Sequence, residues 1–216
     1  MQIDRDNFKW WLIYGPPRTG TSYLSRLVAR RARHLVSDWG LGHILNNLDK
    51  VNDLNTDRFL NDFAQIVLES ARRGGGQYLD LCFKQAIMLP AELTQLSKMF
   101  GEPQRRIFCI RAPAGFVASA IKKFPRFTPT DLEERYVKMF RIYDQIGGDI
   151  LEYGPQLSID DLSSFLAPMK LPPNTEDFVY RGSERTDLVT PRMQEVYENF
   201  KDKHFNGPGA AFALKS

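Results

Sequence analysis

Cysteine and histidine are scarce, with two and three copies in 216 residues. Cys82 and Cys109 each sit inside an apolar run, so they are expected as reduced core side chains rather than as a disulfide or a metal pair. The histidines are scattered without metal-ligand spacing, and no metal site is expected. No apolar run approaches the roughly 20 residues that span a bilayer. The opening MQIDRDNFKW has neither the basic start nor the apolar stretch of a signal peptide. These absences predict a cytoplasmic protein with no membrane partner. Charge of one sign is also lacking. The formal balance is +3, too small to point to nucleic acid by itself, and no nucleic-acid partner is expected. Arg26, Arg30, Arg31 and Arg33 do cluster, either as a helix end favoured by the macrodipole or as a patch for an anion. There is no repeat, low-complexity tract or linker, and a composition of 43% hydrophobic and 25% charged residues is that of an ordinary globular chain. Residues 1–216 are expected to form a single domain.

What is present alternates between strand and helix. Residues 10–14 form a short apolar run closed by Gly15-Pro16-Pro17, the pattern of a buried strand. Leu24, Leu27, Val28, Ala32 and Leu35 then share a helical face. Residues 36–55 are polar and glycine-containing, a loop-rich connection. Thr56 can cap a helix carrying Phe59, Phe63, Ile66, Val67 and Ser70 on one stripe, ended by Gly74-Gly75-Gly76. Further strands are predicted at 78–83, 106–110 and 150–153, with a short helix around Leu93 and Leu96 and another over 114–123. Thr130-Asp131-Leu132-Glu133 has the form of a capping box, opening a helix with Leu132, Tyr136, Phe140 and Tyr143 inward and stopping at Gly147-Gly148. A helix over 158–166 has its acid at Asp161, and residues 167–189 form a surface loop. Thr190 caps the last helix, Pro191 takes its first position, and Met193, Val196, Tyr197 and Phe200 face inward. This alternation predicts an α/β fold with a central, mostly parallel sheet flanked by helices.

The chemistry concentrates in residues 15–22, Gly-Pro-Pro-Arg-Thr-Gly-Thr-Ser, between the first strand and its helix. A glycine, four residues, a second glycine and two hydroxyl residues form the skeleton of a phosphate loop. Gly20 lets the backbone approach an anion, and the helix start directs N–H groups and the positive dipole end toward it. Thr21 and Ser22 add hydroxyl donors, and Arg18 can lay a guanidinium across charged oxygens. The usual nucleoside-triphosphatase loop has Lys after its second glycine. Here that position is Thr21, and the cation stands ahead of the glycine at Arg18.

The string PPRTGTSYL resembles the 5′-phosphosulfate loop of the sulfotransferases that use PAPS, 3′-phosphoadenosine 5′-phosphosulfate. The resemblance implies a P-loop NTPase-like fold. It makes Arg18 the cation at the transferring group, and Pro17, Thr19, Gly20, Thr21 and Ser22 the loop around the 5′-phosphate. The same family holds the 3′-phosphate with an Arg at a strand end and a Ser eight residues later, which Arg111 and Ser119 in IFCIRAPAGFVASAIKKF match. Such a pair can clamp a dianion whatever the family. LEYGPQLSIDDLSSFLAPMKLP is a weaker match, with Gly154 where relatives carry an acid. Arg181-Gly182-Ser183 resembles the basic loop over the 3′-phosphate. The likeness spans roughly residues 10–185.

On the acceptor side the pattern departs. Many relatives carry Lys-x-His on the strand facing the acceptor, and the corresponding residues are Lys84-Gln85-Ala86. Lys84 fits a contact with the sulfuryl group, but Ala86 cannot take a proton. Other branches place a carboxylate after the second strand, which here implies Asp38, just past the 34–37 stretch, with His43 as second choice. The implied reaction moves a sulfuryl group to a hydroxyl or amine of a small-molecule or glycan acceptor, whose pocket would involve residues 36–55, 124–130 and the C-terminal loop. Arg18, Lys84 and the loop N–H groups supply the positive field, so the scheme requires no metal. Two alternatives stand beside it. One is a P-loop kinase or nucleotide hydrolase using ATP and magnesium, with Asp80 as the metal acid. The other is a non-catalytic nucleotide-binding module.

Overall fold

Strand β1 (Phe8–Tyr14) is central to the sheet. The computed structural model describes residues 8–29, 34–37, 58, 61–66, 69, 79–85, 90–167, 180, 182–205 and 213–214. In β1, Trp10, Leu12 and Tyr14 face one side of the sheet and Trp11 and Ile13 the other, as the two-residue period of a strand requires. None of the five is more than 5% exposed. A strand covered on both faces is written as a continuous apolar run, not as an alternation. Each fully buried side chain such as Leu12, Ile13 or Phe108 contributes about 1.5–3 kcal/mol by leaving water.

The chain continues through α1 (Thr21–Ala29), β2 (His34–Ser37), β3 (Leu79–Gln85), α2 (Pro90–Phe100), β4 (Arg105–Ile110), α3 (Pro113–Lys123), α4 (Pro129–Ile146), β5 (Asp149–Glu152), α5 (Ile159–Leu166), α6 (Pro191–Phe205) and β6 (Ala213–Leu214). Among the described residues the strands lie in the order β2-β3-β1-β4-β5-β6. Every pairing is parallel. Helices α2, α3, α4 and α6 cover the face of Trp10, Phe83, Phe108 and Ile110. Leu24 of α1 and Leu162, Phe165 and Leu166 of α5 cover the face of Trp11, Ile13 and Ile107. The fold is therefore α/β with a parallel sheet flanked by helices. After β1 the chain runs to the β3 side of the sheet, and β4 returns on the other side. The loop after β1 thus opens at the switch point, at the carboxyl ends of the strands, where such sheets bind ligands.

Several local expectations shift. Helix α1 ends at Ala29, and Leu35 lies in β2 rather than on the helix face. Residues 36 and 37 accordingly belong to a strand, not to the connection. His-Leu-Val-Ser is too short to show a period of its own, and pairing with β3 decides it. Thr128, not Thr130, caps α4: it is extended (φ −77, ψ 163), its side chain accepts from Asp131 N, and Pro129 fills the first helical position. Ile66 is 60% exposed, although Phe63 beside it is buried. Thr56, Phe59, Val67, Ser70 and residues 74–76 lie outside the described residues. Ser158 and Asp161 form the capping box of α5. Thr190 accepts from Met193 N at 3.2 Å, and Met193, Tyr197 and Phe200 of α6 are buried. Cys109 is buried; the side chains of Cys82 and Arg26, and Arg30, Arg31 and Arg33 as a whole, lie outside the described residues. Among the described residues no helix is long and apolar enough to cross a membrane.

Candidate functional site

β1 hands over to the phosphate loop at Gly15, where a Cβ would stand 2.2 Å from the carbonyl oxygen of Cys109. Only glycine fits that crossing. The Pro16 carbonyl accepts from Thr19 N at 3.3 Å and from Thr19 Oγ1 at 2.7 Å. The turn is closed from inside, with Thr19 wholly buried. This bends the chain so that Arg18 takes φ +78, the one non-glycine residue with positive φ among those described. Gly20 follows at φ +93, and its carbonyl accepts from Tyr23 N and Leu24 N at 2.9 Å each, starting α1. The first N–H groups of that helix have no partner within it and face outward. The Tyr153 ring lies where a Gly20 side chain would be, 2.6 Å from an ideal Cβ.

The second half of the site comes from β4 and α3. Arg111 follows the last residue of β4 and is 5% exposed. Its side chain lies over Gly115, whose Cβ would sit 2.6 Å from Arg111 Nε. Arg111 Nη1 donates to the Arg18 carbonyl at 3.4 Å, and Nη2 donates to Tyr180 Oη at 2.7 Å. Its backbone carbonyl accepts from Tyr136 Oη at 2.6 Å. Arg111 Nε is buried and has no hydrogen-bond partner among the described residues. Ser119 Oγ, on α3, accepts from Arg18 Nε at 3.0 Å.

Arg18, Gly20, Thr21, Ser22, Tyr23, Arg111, Ser119 and Tyr153 line one cavity of about 310 Å³. It carries two guanidinium groups and, among the described residues, no carboxylate. That charge arrangement suits an anion with several oxygens. The Tyr153 ring lies 5.2 Å from Tyr180 and 5.8 Å from Tyr23, centroid to centroid. The Arg111 guanidinium is 5.6 Å from the Tyr153 centroid and 5.3 Å from that of Tyr180. Burial raises the Tyr153 phenol above its ordinary value; Arg111 opposes the rise and Tyr180 adds to it. The group stays protonated at neutral pH, as a donor.

The cavity thus brings together Arg18, Gly20, Thr21, Ser22, Arg111 and Ser119 of the expected residues. Thr19 is absent from it because its hydroxyl turns inward to Pro16. Pro17 faces a different cavity, against α4. Lys84 is 4% exposed at the loop end of β3, level with Ile13 and Ser37, but does not line the cavity. Gly182 and Ser183 are exposed and outside the lining. Their loop is fastened to the start of α3 by Arg185 N donating to the Ala114 carbonyl at 3.1 Å. Asp38, His43 and Arg181 lie outside the described residues. Asp80 pairs with Lys9, near the start of β3 and roughly 16 Å of strand before Gln85 at about 3.3 Å per residue, so its backbone position is remote from the phosphate loop. Tyr23, Tyr153, Tyr180 and Gly115 are the residues that sequence spacing did not single out. Tyr23 adjoins the phosphate loop, Gly115 lies between Arg111 and Ser119, Tyr153 lies in the LEYGPQLS segment and Tyr180 precedes Arg181, but no spacing marks any of the four as a site residue.

No family model matches the chain. No curated protein matches it either. Among solved structures, a candidate kinase from Chloroflexus aurantiacus is 15% identical, covers 75% of this chain and 98% of its own, and has a TM-score of 0.46. The APS kinase CysC from Mycobacterium tuberculosis, solved in complex with AMPPNP and APS, is 17% identical, covers 76% of this chain and 97% of its own, and has a TM-score of 0.37. Values this low assign no residue role and no reaction to this chain.

Proposed function

We propose that this chain is a sulfotransferase that takes the sulfuryl group of PAPS and passes it to a hydroxyl or amine of a small-molecule or glycan acceptor. The carrying observation is that Arg111 and Ser119, from β4 and α3, converge with Arg18 of the phosphate loop on one cavity. A donor with a phosphate at each end of its ribose needs two such anion sites within one cavity. Arg111 lines that cavity, so its guanidinium can meet a ligand oxygen at that end.

In this reading the 5′-phosphate lies against the first turn of α1, held by its N–H groups and by Thr21 and Ser22. Arg18 faces the bridging oxygen, where negative charge grows as the acceptor attacks sulfur in line and the S–O bond to the 5′-phosphate breaks. Lys84 is assigned to the sulfuryl oxygens by its place in the sequence. Asp38, with His43 as second choice, is assigned to receive the acceptor proton. Arg181, Gly182 and Ser183 are assigned to cover the 3′-phosphate. The reaction calls for no nucleic-acid or membrane partner.

Calorimetry with adenosine 3′,5′-bisphosphate, adenosine 5′-phosphate and ATP with magnesium tests the proposal. The bisphosphate should bind without magnesium at least about tenfold tighter than the monophosphate, since a charge-assisted contact contributes about 1.5–3 kcal/mol. Equal affinities for the two would sink it. A preference for ATP that depends on magnesium would move the reading to a kinase or hydrolase. Turnover is then followed with radiolabelled PAPS, and Asp38→Asn should lower it by about 10²–10⁴ while leaving bisphosphate affinity unchanged.

A further inference from the structure

We propose that the acceptor site is the cavity on the far side of the phosphate loop, between Pro17 and helix α4, and that it is built for an uncharged, polyhydroxylated acceptor such as a glycan end. This assignment rests on the sulfotransferase reading. Its starting point is that adjacent loop residues face different cavities. Arg18 lines the donor cavity, whereas Pro17 lines a second one, of about 250 Å³, with Asp131, Glu134, Arg135, Lys138 and Met139. Consecutive Cα atoms are about 3.8 Å apart, so the two cavities are separated by the turn of the loop itself. The proposal places the acceptor across this turn from the donor.

The lining of this cavity sets the chemistry of its occupant. Glu134 and Lys138 stand four positions apart with the acid first, the orientation that pairs on a solvated helix. Among the described residues their side chains make no ion pair with each other and no hydrogen bond, although both border the cavity. Asp131 is engaged by the cap, with Oδ2 accepting from Thr128 N at 2.8 Å and from Thr128 Oγ1 at 2.7 Å. Those hydrogen bonds, aided by Arg135, hold its carboxyl below the ordinary value, so it remains an anion. Two acids and two cations leave no net charge to select a polyanion or a polycation. They offer alternating acceptors and donors, and a hydroxyl is both donor and acceptor. Pro17 and the buried Met139 supply an apolar floor. Beside it the Arg135 guanidinium lies 4.4 Å from the Phe127 ring, which stacks on Phe124 at 4.9 Å and an interplanar angle of 20°. Of the two rings Phe124 is the exposed one, and it gives the C–H face of a second sugar ring a place to rest.

The test separates the cavity from the donor. Saturation-transfer NMR on the intact chain would use methyl glucoside, methyl galactoside and maltose as probes, with phenol as comparator, while calorimetry follows adenosine 3′,5′-bisphosphate in parallel. The glycosides should bind, and Glu134→Gln and Lys138→Ala, both at exposed positions, should each weaken them by about threefold to tenfold, as the loss of one hydrogen bond does. Bisphosphate affinity should stay unchanged in both variants, which also reports that they fold. Absence of glycoside binding, binding that ignores both substitutions, or binding of phenol alone overturns the assignment and leaves the donor site standing. If the bisphosphate fails to bind the parent while the glycosides bind and respond to both substitutions, the cavity stands as a sugar site and the sulfotransferase reading falls.

Discussion

Arg18 Nε donates to Ser119 Oγ at 3.0 Å across 101 positions of sequence. The contact joins the phosphate loop after β1 to the helix after β4, on either side of the switch point. It also fixes the direction of a residue whose backbone is strained, because Arg18 sits at φ +78 where an L side chain crowds its own carbonyl. Strain of this kind persists only where the surroundings enforce it, and it collects at functional sites.

That combination gives a two-sided expectation. Arg18→Ala should lower sulfuryl transfer by about 10²–10³, as loss of one charge-stabilising group does, and Arg18→Lys should keep part of it. Arg18→Gly should be as inactive as Arg18→Ala yet more stable than it by about 0.5–1 kcal/mol, reversing the ordinary order of the two residues. Thermal unfolding of the pair, read beside turnover with radiolabelled PAPS, checks both halves. An Ala variant with near-parental turnover would reduce the loop to a structural turn.

Gly20 carries the next expectation. Its φ of +93 and the Tyr153 ring 2.6 Å from an ideal Cβ leave no room for a side chain. Gly20→Ala should cost about 2–5 kcal/mol, combining backbone strain with overpacking. Adding Tyr153→Ala should recover the overpacking part and leave the backbone part. Denaturant unfolding of the single and double variants measures the split. Equal stabilities for the two would show that the ring yields freely.

The four central strands and the loop were legible because their signals are local, whereas the edge strands β2 and β6 were not. A strand buried on both faces is a run of apolar residues, and the Gly15 and Gly20 spacing announces a turn that opens a helix. Thr19 illustrates what spacing cannot reveal. Its place in the motif suggested a ligand contact, but the hydroxyl closes the turn onto Pro16 instead. Tyr153 and Tyr180 were invisible for a different reason. They reach Arg111 from loops more than forty residues beyond it in sequence, and although both adjoin segments that the family resemblance picks out, no spacing in either encodes a contact of the tyrosine itself with Arg111. The cap of α4 was misplaced by two residues because Thr128 and Thr130 offer the same chemistry, and Pro129 in the first helical position decides between them.

Arg111 should separate the two phosphates of the donor. Its guanidinium is buried over Gly115 and its Nε lacks a hydrogen-bond partner among the described residues. Arg111→Met keeps much of the stem and removes the charge. Affinity for adenosine 3′,5′-bisphosphate should fall by at least about tenfold, whereas adenosine 5′-phosphate should lose little, because the loop side of the cavity is untouched. Calorimetry with both nucleotides reads the difference. Parallel losses would show that Arg111 supports the loop through its hydrogen bond to the Arg18 carbonyl rather than holding the second phosphate.

His204 links stability to pH at a point away from the site. Its ring packs on Phe200 at 4.5 Å and on Tyr143 at 5.1 Å, and its Nε2 is buried without a hydrogen-bond partner among the described residues. Burial, with neighbouring Lys203, depresses its protonation below the ordinary value of 6.5, and Asp144 opposes them weakly. The folded chain therefore takes up a proton here less readily than the unfolded chain does. The sign follows. The contribution of this residue is complete above about pH 6.5, is lost as pH falls through the depressed folded value, and levels off below it. His204→Phe preserves the aromatic contacts and removes the titration. The midpoint of thermal unfolding should then decline less steeply in the variant than in the parent between about pH 7 and pH 5, while the two curves run parallel above pH 7. Carboxylates add the same acid slope to both proteins, so the difference between the curves isolates the histidine. Curves that stay parallel down to pH 5 would show that the ring titrates as freely in the fold as in the unfolded chain.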